Sequence, residues 1–303
     1  MYVILPVSIT DANFTYSNIV EPDTSIGEAF WVAATSYTLG QEVIRPNHKK
    51  YKNILAGVDA GLPENTPARW TESGVSNKWA AADTLRNTQS SNAETLVMKF
   101  LPAELIDSIG LGGLYGTDVN ITVNVSGSPI YSYSQSLFKR NPIDWYGWFF
   151  SEFRQLESIV RIDLPIYANS EIVITITNIG QQAKCGAVVF GKKHYIGDIQ
   201  YSSSGDDLNF SKFDRAFDGT AMLIQRRSIP TVDASLIVNK TFCDDIRSIK
   251  KKLNAVPTVW TGINDSNIDD YFELFLIFGI YKQFSINATF PTAAEITLKL
   301  EEY

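Results

Sequence analysis

The strongest constraint on the fold of this chain is a two-residue alternation of apolar and polar side chains. Apolar residues recur at every second position in residues 119–125, 172–176 and 296–300. Such alternation turns one face of a strand to a core and the other face to solvent, which is typical of antiparallel sheets. Clusters of Gly, Ser, Asn and Pro separate the runs and indicate turns. The sequence therefore predicts a mainly β protein.

One helix is predicted in the last quarter of the chain. Apolar residues recur there at three- and four-residue spacing from Phe242 to Leu253. Thr241 is the expected N-cap, and the lysines at 250–252 lie in the last turn, where positive charge is favourable for the helix dipole. Pro257 prevents continuation of the helix. We interpret the lysine run as a solvated helix end, on a helix that packs one apolar stripe against a sheet.

The length of 303 residues is enough for two or three domains. Residues 1–76 combine an apolar N-terminal strand with a small segment rich in Gly, Pro and isolated aromatic residues. Residues 77–194 hold several strands with long connections, which predicts a β-sandwich. Residues 195–303 hold strands and the helix, which predicts a small α+β or barrel-like domain. The best candidate for a linker before this last segment lies near residues 197–205.

Composition argues against several classes of protein. The chain has 26 basic and 33 acidic residues, and a net charge of −7 argues against a nucleic-acid-binding surface. With only 2 cysteines and 2 histidines, neither a disulfide framework nor a His/Cys zinc site is expected. The apolar run Phe272–Tyr281 is about half as long as the roughly 20 residues that cross a bilayer, and the first nine residues lack signal-peptide features. We therefore expect no cofactor, no metal, no nucleic acid and no membrane insertion.

Catalytic motifs are not found. The run Gly110–Gly116 misses the spacing of a dinucleotide fingerprint and indicates a glycine-rich strand. Asp144 and Glu152 are the only acids set among several aromatic residues, and a glycosidase needs two such carboxylates. We expect the aromatic residues at 145–153, like those at 271–284, to fill the core as parts of strands. The prediction is no catalytic residue, with a glycan-degrading enzyme that uses Asp144 and Glu152 as the alternative.

Singly spaced aromatic residues distinguish the segment from Trp31 to Trp70. The segment has few aliphatic residues, so its Trp and Tyr side chains must form a minimal core, a flat binding face, or both. An aromatic face can stack on the apolar face of a sugar ring. Trp31, Tyr51 and Trp70 are the candidate carbohydrate contacts. In the alternative interpretation these side chains form the core of a spacer or docking module.

The spacing Trp31-x5-Tyr37-x2-Gly40, followed by Tyr51 and Trp70, is similar to the short chitin- and cellulose-binding modules of bacterial glycosidases. The similarity covers residues 31–74. It departs from the usual pattern after Gly40, where Gln41 stands in place of Asp. The resemblance implies a small carbohydrate-binding-like fold, and sugar contact at the aromatic candidates named above.

A wider resemblance covers nearly the whole chain and depends on the order of its motifs. The segments that carry it are residues 76–83, 111–116, 144–150, 166–172, 185–191, 196–201, 257–262 and 278–282. In this order they resemble proteins encoded among the tail genes of tailed bacteriophages and prophages. The middle segment is similar to jelly-roll sandwiches of the galactose-binding type.

The resemblance to tail proteins implies a virion structural protein, not an enzyme, at the tail or the tail tip. It implies several symmetry-related copies made in the cytoplasm of the host bacterium. The expected partners are other tail proteins and further copies of the chain, with host-surface glycans as an additional contact of the outward module. A purely structural adaptor that binds no sugar is the remaining alternative.

Overall fold

The computed structural model describes residues 1–140, 142–262 and 273–303. Strands account for 51% of the structure and helical residues for 11%, which confirms the predicted mainly β class. The secondary structure contains one regular helix of more than two turns in the described part of the chain, in the region where the sequence predicts it.

The strands follow one another along the described part of the chain with short helical segments between them. The strands are β1 (Tyr2–Pro6), β2 (Phe14–Ser17), β3 (Thr35–Tyr37), β4 (Glu42–Ile44), β5 (Lys49–Asn53), β6 (Gly57–Asp59), β7 (Trp70–Val75), β8 (Ser90–Phe100), β9 (Ser108–Gly112), β10 (Asp118–Val125), β11 (Ser128–Ser136), β12 (Phe138–Lys139), β13 (Arg154–Gln155), β14 (Ser158–Arg161), β15 (Glu171–Cys185), β16 (Ala187–Tyr195), β17 (Asp198–Ile199), β18 (Ser204–Asn209), β19 (Lys212–Arg215), β20 (Ala221–Ile224), β21 (Ser228–Asn239), β22 (Thr258–Thr261), β23 (Leu276–Asn287) and β24 (Ala293–Glu302). The helices are α1 (Trp145–Phe150) and α2 (Cys243–Lys252), with 3₁₀ turns at Thr24–Ile26, Pro63–Asn65, Asn77–Ala82 and Lys240–Phe242.

A large curled antiparallel sheet forms the centre of the molecule. Its order is β14-β9-β16-β1-β22-β23-β24-β21-β17, and β18 also pairs with β21. The N-terminal strand β1 lies in the middle, where Tyr2 pairs with Tyr195 on one side and with Thr261 on the other. The sheet takes strands from all three predicted segments. The division of the chain into three domains, with boundaries at residues 76 and 194, therefore stays a prediction from the sequence.

The curl of this sheet depends on the glycine-rich run, which forms β9 as the sequence predicts. A Cβ atom at Gly110 would lie 2.8 Å from Cγ2 of Val259 in β22. A Cβ atom at Gly112 would lie 3.1 Å from the ring of Phe278 in β23. The missing side chains thus allow β9 to approach the opposite half of the sheet.

The other face of β9, β14 and β16 packs against a second sheet, of order β11-β10-β15-β8-β2. The alternating residues of β10 and β15 point inward together, since Ile121 pairs with Ile174 and Val123 with Ile172. All four side chains are buried. These two layers form the sandwich that the alternation predicts.

Helix α2 packs Ile246 and Ile249 against the C-terminal half of the large sheet. The expected cap at Thr241 is wrong, because a 3₁₀ turn precedes the helix and the side chain of Asn239 accepts a hydrogen bond from the Thr241 amide. The lysine run is solvated only in part. Lys250 donates to the carbonyl of Phe284, whereas Lys251 and Lys252 are exposed.

Candidate functional site

The candidate carbohydrate contacts lie together in the small module formed by β3 to β7. Tyr51 and Trp70 are buried with Tyr37 and Val43, and Trp70 is only 2% exposed. The Trp70 ring meets the ring of Tyr37 edge-on at 5.1 Å. In this conformation Tyr51 and Trp70 build the core of the module, and neither ring offers an open face to a ligand.

Trp31 is the half-buried member of the three candidates and packs against the same core. The guanidinium of Arg45 lies 5.0 Å from its ring centroid, and Glu64 holds that guanidinium through a hydrogen bond of 3.0 Å. The burial of Tyr51 and Trp70, with Trp31 half-buried against them, fits the alternative of a module core. Sugar contact at Trp31, Tyr51 and Trp70 stays a prediction.

A histidine junction fastens this module to the sandwich. Nδ1 of His48 lies 2.8 Å from Oε2 of Glu21, and Nε2 lies 2.8 Å from Oδ1 of Asp11. The imidazole also stacks on Trp79 at 4.3 Å, and Glu21 accepts a second hydrogen bond from Ser76. His48 lies in the turn between β4 and β5, and its half-buried side chain contacts partners that are far away along the chain.

A polar cleft of about 410 Å³ opens where the sandwich meets the C-terminal strand. Arg86 donates to the buried Glu302 at 2.8 Å and to Glu157 at 3.2 Å, and Arg227 donates to Glu302 as well. Burial lowers the pKa of Arg86, while burial and the nearby charge of Arg86 lower the pKa of Arg227. Each guanidinium has a carboxylate partner. The cluster therefore connects segments of the chain that are far apart in sequence.

The aromatic run that the sequence assigns to a strand core lies instead in an exposed loop, and that expectation is wrong. We call residues 142–153 the aromatic loop; it contains α1 and joins β12 to β13. Its exposed large apolar side chains are Ile143, Trp145, Tyr146, Trp148, Phe149, Phe150 and Phe153. By contrast Phe275, Phe278 and Phe284 of the C-terminal cluster are buried as expected, while Tyr271 and Phe272 lie outside the described residues.

The two candidate acids belong to this loop. Oδ1 of Asp144 accepts a hydrogen bond of 2.6 Å from the amide of Gly147 and so caps α1. Glu152 is exposed after the helix, and neither acid lines the polar cleft. Capping by itself explains the presence of an acid at position 144. Their use as a catalytic pair stays a prediction.

A second exposed apolar segment is the arm, which we define as residues 204–230. Strand β18 pairs with the start of β21, and β19 pairs with β20 to extend the same ribbon. From Asp206 to Ser228 every residue except Ser211 is exposed. Its large exposed apolar side chains are Leu208, Phe210, Phe213, Phe217, Met222, Leu223 and Ile224.

The bases of the aromatic loop and of the arm lie on the two sides of the polar cleft. Gln155 and Glu157, which follow the loop, line the cleft together with Arg227 and Pro230 of the arm. The site that the structure brings together is thus a charged cleft between two apolar projections. This cleft was not predicted from the sequence. For the loop, the local signal was an acid at position 144 followed by Gly147, which is a spacing that allows the acid to cap a helix.

Within the described ranges, no group of three His, Cys, Asp or Glu side chains is arranged to hold a metal ion. No helix in those ranges is long and apolar enough to cross a membrane. Among known proteins, no family model and no curated protein matches this chain. What the chain can do is therefore inferred from its own surface.

Proposed function

We propose that this protein is a structural subunit of a larger protein assembly. One observation carries the proposal, which is the exposure of the aromatic loop. Trp145 is 81% exposed, and five more aromatic rings beside it are more than half exposed. At about 200 Å² for each fully exposed aromatic side chain, the loop presents roughly 800 Å² of apolar surface.

That area is larger than a soluble monomer usually tolerates. The largest apolar patch on a typical monomer covers roughly 300–600 Å², and larger patches mark interaction sites. One side of a standard protein interface covers about 800 Å². Trp and Tyr are also the residues that contribute most to binding at interface centres. The loop therefore has the area and the composition of an interface.

The loop is ordered within the chain before it meets a partner. Asp144 caps α1, and β12 pairs with β13 at the base of the loop. The guanidinium of Arg140 lies 5.3 Å from the ring of Trp148 and 4.9 Å from that of Phe153. A surface that is already ordered loses less conformational entropy on binding.

The resemblance to tail proteins narrows the proposed assembly to the tail or tail tip of a bacteriophage virion. The subunit is then made in the host bacterial cytoplasm and binds other tail proteins and copies of itself. Contact of the module at residues 31–74 with host glycans belongs to the same proposal. The alternatives of a glycan-degrading enzyme and of an adaptor that binds no sugar remain open to test.

The proposal is tested on purified virions from the genome that encodes the chain. An epitope inserted at Ala60, which is exposed in the module, is located by gold labelling and electron microscopy. We expect label at the tail and the full-length chain among the particle proteins. Particles that lack the chain after complete purification would contradict the proposal. An insertion next to the exposed Thr289 serves as the control for accessibility of the label.

A further inference from the structure

The arm is the second large apolar surface of the chain and has no covering element within the described structure. We infer that the aromatic loop of one copy binds the arm of a second copy. This inference rests on the proposed function, because it names the partner of the surface that carries that proposal.

The arm is a two-stranded ribbon with apolar side chains on both faces. Phe213 pairs with Leu223, and Asp214 pairs with Met222, so these successive pairs point to opposite faces. All three apolar side chains are more than half exposed. An isolated two-stranded ribbon is at most marginally stable in water and needs a third strand or a packed surface. Within the described ranges no element covers the ribbon in this way, and a second copy of the chain can supply the surface.

The area of the arm matches the area of the loop. The seven large apolar side chains of the arm expose roughly 700 Å², if a fully exposed side chain of this size presents somewhat under about 200 Å². The loop exposes roughly 800 Å² by the same reasoning. Together the two surfaces present roughly 1,500 Å², which lies within the range of about 1,200–2,000 Å² that a standard interface buries. Each copy thus carries both halves of an interface of ordinary size.

The positions of the two projections favour a partner copy. Arg154 directly follows the loop and forms an ion pair with Glu273. Leu274, which comes after Glu273 in the chain, packs over Gly205 in the arm. Glu273 and Leu274 thus connect the two bases, although the loop and the arm remain exposed along their lengths. A second copy brings its own arm and loop at the same fixed spacing, so both surfaces can be covered with one type of contact.

The inference is tested with full-length chains that lack one of the two surfaces. The loop variant carries Trp145→Ser and Phe149→Ser, and the arm variant carries Phe213→Ser and Leu223→Ser. The matched control carries Tyr167→Ser and Phe290→Ser, which remove two half-exposed rings outside both surfaces. Masses are measured by sedimentation velocity over a range of concentrations, for each protein alone and for mixtures.

We expect wild type and control to associate, and each loop or arm variant alone to associate at least about tenfold more weakly, because central aromatic anchors dominate interface energy. A one-to-one mixture of loop variant and arm variant forms a heterodimer. In that pair the intact loop of one chain meets the intact arm of the other. Circular dichroism checks that each variant remains folded.

Three results would overturn the inference. If the arm variant associates like wild type while the loop variant does not, loops bind loops. If the mixture yields no heterodimer, the two surfaces do not bind each other. If wild type stays monomeric but sediments with anionic phospholipid vesicles, and the loop variant does not, the loop docks on a membrane. The first two results leave the proposed function intact when the chain is present in virions, whereas its absence from virions contradicts the proposed function.

Discussion

His48 is held by two carboxylates that differ greatly in exposure. The side chain of Asp11 is 75% exposed, whereas that of Glu21 is 9% exposed and also accepts from Ser76. We expect Glu21→Ala to lower the free energy of unfolding by about 1–3 kcal/mol, because the buried hydroxyl of Ser76 loses its acceptor and the half-buried ring of His48 loses one of its two carboxylate partners. The paired change Asp11→Ala should cost less than about 1 kcal/mol, as is usual when one partner of a contact is well exposed to solvent.

Urea unfolding measures both changes, and limited proteolysis of residues 31–75 shows whether the module has loosened. Equal losses for the two variants would mean that burial at the junction does not determine its strength. The sequence could not predict this junction. Its three ionisable residues are separated by tens of positions, and only the tertiary fold brings them to one ring.

Cys185 has a thiol that burial keeps neutral. The side chain is fully buried, and burial raises the pKa of the thiol from 9.0 to about 12. We expect iodoacetamide at pH 8 to modify Cys243, which is half-exposed, and to leave Cys185 unmodified until the protein unfolds. Peptide mapping by mass spectrometry reads both sites. Rapid labelling of Cys185 in the folded protein would contradict its burial.

The same thiol contributes to the dependence of stability on pH. From about pH 9 to pH 12 the thiol ionises in the unfolded chain but stays protonated in the folded one. The folded state then binds more protons, so this contribution to stability is complete below pH 9 and is lost as the pH rises toward 12. The burial of this thiol follows from its position at the end of β15, just before the buried residues 187–190 of β16.

At the level of elements, the alternation of apolar and polar residues predicts strands well, because it shows directly which side chains of a strand are buried. β10 and β15 form where alternation is strict. The aromatic loop fails this rule. An unbroken aromatic run fits a buried strand and an exposed loop equally well, because it has no alternating polar positions to show which side faces solvent. The cap at Asp144 favours the helix.

The arm should be dispensable for folding of the rest of the chain. Its residues from 206 to 228 are almost all exposed, so few core contacts depend on them. We expect replacement of residues 210–226 by Gly-Asn-Gly to change the melting temperature by less than about 2 °C, which corresponds to about 1 kcal/mol in a chain of this size. The replacement keeps Arg227, which pairs with Glu302.

The control for this replacement is removal of buried contact in the same half of the molecule. Ile246→Ala truncates a buried side chain of α2 and should cost about 2–5 kcal/mol. Differential scanning calorimetry compares both variants with wild type. A loss of stability in the arm replacement as large as that of Ile246→Ala would show that the arm supports the body.

For the whole molecule, Glu302 is the group that joins distant segments. It is buried and receives hydrogen bonds from Arg86 of the sandwich and Arg227 of the arm. We expect Glu302→Gln to lower the free energy of unfolding by about 2 kcal/mol, because two guanidinium groups are left near each other without their carboxylate. Urea unfolding followed by circular dichroism measures the loss.

The neighbouring Glu301 provides the control. It pairs with Lys282 at 3.3 Å, and the lysine side chain is more than half exposed. Glu301→Gln should therefore change the free energy of unfolding by less than about 1 kcal/mol. Equal effects at the two positions would mean that the charged cleft adds nothing to the cohesion of the fold. The cleft could not be predicted, since its charges come from five separate parts of the sequence.

The position of β1 at the centre of the large sheet has a consequence for the order of folding. This strand is synthesised before both of its neighbours, which contain residues 195 and 261. Pairings at such long separation along the chain form slowly. During synthesis Val3 and Ile4, which are fully buried in the finished fold, must wait for most of the chain to leave the ribosome. We therefore expect the nascent chain to depend on chaperones, because its central strand stays unpaired until late.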